Sequence, residues 1–230
     1  MNISNELKLY LKGLGCNIFG FADLRCLAKE VRQNFDYGIL IALSFSKEAM
    51  INNKNNSPQK YYDELNPMTK RLKNLAQLTE QYLVDKGYKA LAKITSTVVS
   101  DEDFRTVLPH KTVATLAGVG WIGKCALLVT KEVGSALRMV VVLTNAPLEC
   151  GTPVVKSKCS PNCTVCVDIC PGKAPLGGLW EAGTDRNEFF DANACSIAAH
   201  KRGKELLDVD ETLCGLCMAN CPFTQRGLGY

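Results

Sequence analysis

At 230 residues, with 47% hydrophobic and 22% charged residues, the chain can hold one ordinary domain plus a small appendage, and its composition is that of a packed protein. A formal net charge of +4 permits an anionic partner, but no dense Lys/Arg stripe argues for nucleic acid, and Lys70, Arg71 and Lys73 read as a solvated helix face. The longest purely apolar stretches, such as Met139–Leu143, are too short to cross a bilayer. Met1–Tyr10 lacks the apolar core and cleavage site of a signal peptide, so no membrane and a reducing cytoplasm are expected.

Ile3, Leu7, Tyr10, Leu11 and Leu14 recur at helical spacing, with Gly13 and Gly15 where that helix should end. Asp23 can cap a second helix running to Asn34. Tyr37–Phe45 is a near-continuous apolar run of strand length, and the asparagine-rich Asn52–Ser57 reads as a loop. Pro58 starts a long helix to Lys86 with a kink at Pro67. Tyr88–Thr95 and Ala136–Thr144 read as strands, Lys111–Ala117 as a helix and Ala126–Thr130 as a short strand. Near residue 150 long apolar runs give way to cysteine, glycine and proline. Residues 1–150 are therefore expected to form an α/β domain, and residues 151–230 a second, cysteine-rich one.

Residues 118–124 satisfy G-x-G-x-x-G through Gly118, Gly120 and Gly123, and most of a phosphate loop through Lys124. Context excludes both: such motifs follow a strand and open a helix, whereas this one follows a helix and leads into a strand. The phosphate loop also needs Ser or Thr where this chain has Cys125. What survives is a tight loop whose backbone can approach a flat group, with Trp121 as an amphipathic wall, or a structural turn around a core tryptophan.

Eight of the 12 cysteines lie between Cys159 and Cys221. One group is Cys159, Cys163, Cys166 and Cys170 followed by Pro171; the other is Cys214, Cys217 and Cys221 followed by Pro222, with Cys195 between them. This is the ligand count and spacing of two 4Fe–4S clusters, in which the cysteine before proline crosses to the other cluster. Cys159, Cys163, Cys166 and Cys221 would hold one, and Cys170, Cys195, Cys214 and Cys217 the second. Three residues rather than two separate Cys159 from Cys163. Zinc ribbons also use paired Cys-x-x-Cys, but they would leave the Cys-Pro residues without a role. Cys16, Cys26, Cys125 and Cys150 read as buried apolar fillers, and His200 as a surface or supporting group.

Lys111 to Lys124, then Leu127–Thr130, then Leu143–Pro147 and the two cysteine groups resemble, in order, the epoxyqueuosine reductase family over residues 90–225. The resemblance implies a cobalamin-binding, nitroreductase-like α/β (α+β) domain with a mixed sheet, followed by a ferredoxin-like domain with two 4Fe–4S clusters, an arrangement shared with reductive dehalogenases. It points to Lys111, Thr112, Gly118, Gly120, Trp121, Ile122, Gly123 and Lys124 for cobalamin. An aspartate upstream is the family's proton donor; Asp101 and Asp103 are candidates, with His110 an alternative acid whose unperturbed pKa suits neutral pH. Members that act on tRNA continue into a C-terminal helical-repeat domain, whereas this sequence stops at Tyr230.

Three classes of function follow. The first is a cobalamin-dependent reductase fed single electrons by an external low-potential donor such as ferredoxin or flavodoxin, acting on a small molecule or modified nucleoside, with tRNA possible but unsupported by the charge pattern. The second is an electron carrier serving a separate corrinoid or other enzyme. The third is a structural zinc protein. A ferredoxin alone needs no α/β preface, which favours the enzyme.

Overall fold

The computed structural model describes residues 2–94 and 102–230. Its elements run, in chain order, α1 (Ile3–Gly13), β1 (Ile18–Asp23), β2 (Tyr37–Ser44), α2 (Lys47–Lys54), α3 (Gln59–Asp85), β3 (Ala90–Lys93) and α4 (His110–Leu116). They continue with β4 (Trp121–Ile122), β5 (Leu128–Val129), β6 (Leu137–Thr144), α5 (Val165–Asp168), α6 (Ala192–Leu207), α7 (Leu216–Asn220) and α8 (Pro222–Leu228). By compactness the chain divides into two units. One comprises Met1–Leu43, Met68–Val119 and Arg138–Val154; the other comprises Ser44–Pro67, Gly120–Leu137 and Val155–Tyr230.

The first unit is built on a sheet of strand order β1-β2-β6-β3. β1 runs antiparallel to β2, with Ile18 opposite Ala42, and β3 runs antiparallel to β6, with Ala90 opposite Thr144. α1 starts where Asn2 accepts a hydrogen bond from the Asn5 N–H at 3.0 Å, and it buries Leu7 and Leu11 completely. These two meet Phe21, Ile39, Ile41, Val140 and Val142 from the sheet and Leu72, Leu75 and Leu83 from α3 in one apolar cluster. Each such side chain contributes about 1.5–3 kcal/mol on burial, so this cluster is the main source of the unit's stability. Tyr10 and Tyr82 stack at its edge with ring centroids 4.2 Å apart. α4 packs on β1 and buries Val113, Ala114 and Thr115.

The helix expected from Asp23 is absent. Asp23 ends β1, and its carboxylate takes the Arg25 backbone N–H at 2.9 Å and the guanidinium at 2.6 Å. Turns follow, with Gln33 and Asn34 left-handed at φ 53° and 62°, a conformation that breaks a right-handed helix. β1 was not expected, because Gly20 interrupts its short apolar pattern. α2 likewise reaches into the asparagine-rich stretch read as a loop, since Ser46 caps it at Ala49 N–H (3.0 Å) and Asn53 is completely buried. The other expected elements stand close to where the periodicity puts them; Thr95, the end of one expected strand, lies outside the described residues, and α3 runs on through Pro67 without interruption.

The second unit is made of short helices, loops and the β4–β5 hairpin, in which Trp121 faces Val129. Its smaller apolar cluster joins Ile122, Ala126 and Phe189, flanked by Trp180 and Phe190. Gly134 shows how tightly its backbones pack. It is left-handed at φ 58°, and a Cβ there would lie 2.2 Å from the Thr224 backbone nitrogen. Among the described residues no helix is long and apolar enough to cross a membrane.

Candidate metal centre

The second unit contains a cavity of about 270 Å³ whose walls include Cys159, Cys163, Cys166 and Cys221. These are the four thiols that the spacing assigns to one cluster. The Cys159–Cys163 loop supplies two, α5 supplies Cys166, and Cys221 sits where α7 ends and Pro222 opens α8. Proline at that position ends one helix and pre-sets the next, which leaves Cys221 at the junction of the two. Burial pushes the Cys221 thiol up; the Thr224 and Phe223 backbone N–H groups pull it down, and neighbouring Cys159 adds to the rise.

Gly123 forms part of the wall. A Cβ there would stand 2.9 Å from Val129 Cγ2 and 3.7 Å from the sulfurs of both Cys125 and Cys159, so a side chain would crowd Val129 and narrow this side. Lys124 is 4% exposed, and its Nζ donates to the carbonyls of Pro161 (2.8 Å) and Cys163 (2.9 Å). Trp121 is 2% exposed and meets Phe223 edge-on at 4.9 Å, with its indole N–H unpartnered among the described residues.

Cys125 is buried, as expected, but it is more than filler. It lies on the same cavity beside Cys166 and Cys217. The hydrogen bond with Cys166 pulls its thiol down, while Cys217 and burial raise it well above the ordinary range. Cys166 is in turn raised by its hydrogen bond with Cys125 and by burial, with Lys124 acting in the opposite direction. A free cysteine directly after the glycine motif was the sequence signal for this role. Cys26, by contrast, is exposed rather than buried.

A second sulfur group gathers around α6. Asp191 caps that helix at the Ala194 N–H (2.9 Å), and Cys195 follows in its first turns. The segment after α6 folds back, with Leu213 N–H donating to Ala199 (3.1 Å), which brings Cys214 alongside. The thiol of Cys195 is pushed up to about 11 by burial and by the neighbouring Cys170 and Cys214. From α2, the buried Asn53 donates to the Cys214 carbonyl at 2.9 Å, and the Arg202 guanidinium reaches Asn56 at 2.9 Å. Cys217, assigned by spacing to this group, lines the first cavity. His200 is half-exposed and faces Asp210 at 3.0 Å.

Among the described residues, no three Cys, His, Asp or Glu side chains converge at single-ion distance. The thiols instead ring a space far larger than the about 30 Å³ of a water molecule. The number and spacing of these thiols are those that a polynuclear group held by four thiolates requires.

The remaining candidates divide between the units. His110, Lys111, Thr112 and Gly118 belong to the first; Gly120, Trp121, Ile122, Gly123 and Lys124 belong to the second. His110 opens α4; burial lowers its pKa, backbone hydrogen bonds at Met139 and Lys93 oppose that, and its Nε2 has no partner among the described residues. Asp103 is exposed in a turn, and Asp101 lies outside the described residues.

No family model matches the chain. A curated epoxyqueuosine reductase of Lactococcus garvieae (strain Lg2) is 31% identical over 165 residues, 69% of this chain and 41% of that protein. A solved epoxyqueuosine reductase superposes on 96% of this chain and 65% of its own, with TM-score 0.62 at 18% identity. A catabolic reductive dehalogenase variant superposes on 97% of this chain and 32% of its own, with TM-score 0.64 at 17% identity. Fold and cysteine pattern thus define an α/β protein with the architecture common to these reductases. More narrowly, the chain belongs to the epoxyqueuosine reductase family. It spans less than half the length of that Lactococcus relative.

Proposed function

We propose that the chain is an iron–sulfur reductase of the epoxyqueuosine-reductase type, whose second unit holds two 4Fe–4S clusters. The observation that carries this reading is the cavity ringed by Cys159, Cys163, Cys166 and Cys221. Sequence spacing selected these four independently of any structure, and all four line one cavity, together with Cys125 and Cys217. Cys170, Cys195 and Cys214, with Cys217 as the spacing's fourth ligand, are proposed for the second cluster. Residues 151–230 thus remain the proposed cluster-bearing part, braced by Asn53 on α2 and by Lys124.

Cobalamin, when bound, supplies a cobalt centre that accepts single electrons. Lys111, Thr112, Gly118, Gly120, Trp121, Ile122, Gly123 and Lys124 remain the residues proposed for such a group, on the family resemblance alone. Trp121 and Lys124 are already engaged at the cysteine cavity, so the glycine loop's first duty is to that wall. His110, buried at Nε2 and lowered in pKa, is the proposed proton-handling group. Asp103 is the second candidate, and Asp101 a third on sequence alone. The proposed substrate is a small molecule or modified nucleoside, with a low-potential ferredoxin or flavodoxin as donor.

The test is spectroscopic. Chain prepared without oxygen and reconstituted with iron and sulfide is mixed with cob(II)alamin, and the cobalt paramagnetic signal is recorded. A perturbed cobalt signal supports the cobalamin-dependent enzyme. An unchanged signal with full iron content leaves an electron carrier in its place.

A further inference from the structure

Three cations and no carboxylate line the cavity around Cys159, Cys163, Cys166 and Cys221: Lys124, Lys158 and Arg226. Lys158 and Arg226 are exposed and lie over the Trp121 and Phe223 rings at 5.8 and 5.5 Å. Lys124 is different in kind. At 4% exposure it is withdrawn from water, and among the described residues no carboxylate pairs with it. It makes only neutral contacts, to the Pro161 and Cys163 carbonyls. An ammonium so placed is costly unless a negative charge stands nearby. Surroundings of the other sulfur group are balanced, with Asp191 acting on Cys195 and Arg202 on Cys214.

We propose that Lys124 is the internal counter-cation of the cluster in this cavity and makes it the more readily reduced of the two. The inference rests on the cluster reading above. A cubane held by four thiolates is anionic, and it gains one further negative charge when a low-potential one-electron donor reduces it. A fixed cation stabilises the reduced form more than the oxidised one. Burial keeps that attraction from being screened by solvent and salt. Electrons entering the second unit therefore settle in the lysine-walled cavity. Its two hydrogen bonds also hold the loop carrying Cys159 and Cys163, so Lys124 acts as a positioning residue through both charge and geometry.

The experiment uses the full chain, anaerobically reconstituted, with iron and sulfide counted and both midpoint potentials measured by dithionite titration followed by paramagnetic resonance. In Lys124→Gln, full iron with a tenfold poorer reduction of one cluster is expected, a shift of about 59 mV for one electron, with the other cluster unmoved. Lys124→Arg should restore most of the shift. Full iron with both potentials unchanged overturns the proposal while leaving the cluster reading intact. Should Lys124→Gln fail to load, Lys124→Met, which keeps the apolar stem without the charge, decides: a shift in the same direction supports the proposal, and unchanged potentials overturn it. Wild-type chain without iron or sulfide would instead defeat the underlying reading.

Discussion

The two compact units solve the same problem with different materials. The first buries Leu7, Leu11, Ile39, Ile41 and Val142 between helices and a sheet, and that apolar cluster is its reason to fold. The second also buries Phe45, Met50, Trp121 and Leu128, but it arranges its helices and loops around a cysteine-lined space. The difference teaches that the first unit rests on its apolar core alone, whereas the proposed clusters would tie the second unit's stability to metal loading.

The sharpest way to break that contrast is to remove one cavity thiol. Cys221→Ser should leave about half the iron of the reconstituted wild type, since each cluster draws on four thiolates, and it should not alter the first unit's folding. Unchanged iron content would remove Cys221 from the ligand set.

A substitution in the other region should do the opposite. Leu7→Ala should cost about 2–5 kcal/mol by opening a hole in the core, with iron per folded chain unchanged. Denaturant unfolding and iron analysis on the same samples check both halves of that statement. Gly134→Ala comes next, because its left-handed φ and 2.2 Å approach to Thr224 leave no room for a methyl group. A loss of about 1–3 kcal/mol is expected, confined to the second unit.

Smaller effects sharpen the picture. Asn53→Ala removes the donor to the Cys214 carbonyl and should cost about 1–2 kcal/mol, read as lower thermal stability of the loaded chain. His110 supplies a pH signature for the first unit. Burial holds its folded pKa below the ordinary histidine value, so the stability it contributes is present above that value and is lost as pH falls below it toward the lowered folded pKa. His110→Gln should flatten this acid-side decline in pH-dependent melting.

Much of this was legible in the chain itself. Helical spacing from Ile3 to Leu14, the apolar Tyr37–Phe45 run and the Pro67-containing helix all carry their period in the residues, and they fold as the period requires. The glycine motif was legible as well, because α4 precedes it and β5 follows. What escaped depends on contacts distant in sequence. Asn53 reads as a loop former until Cys214 offers it a carbonyl, and Cys125 reads as filler until Cys166 and Cys217 come to it. Compactness joins 44–67 and 120–137 to the cysteine-rich segment, and no shift in composition marks those joins.

One measurement tests the central claim most directly: iron and acid-labile sulfide per chain after anaerobic reconstitution. The account predicts about eight of each, in a brown protein whose low-temperature spectrum is that of two cubanes. Stoichiometric zinc with no labile sulfide would contradict it.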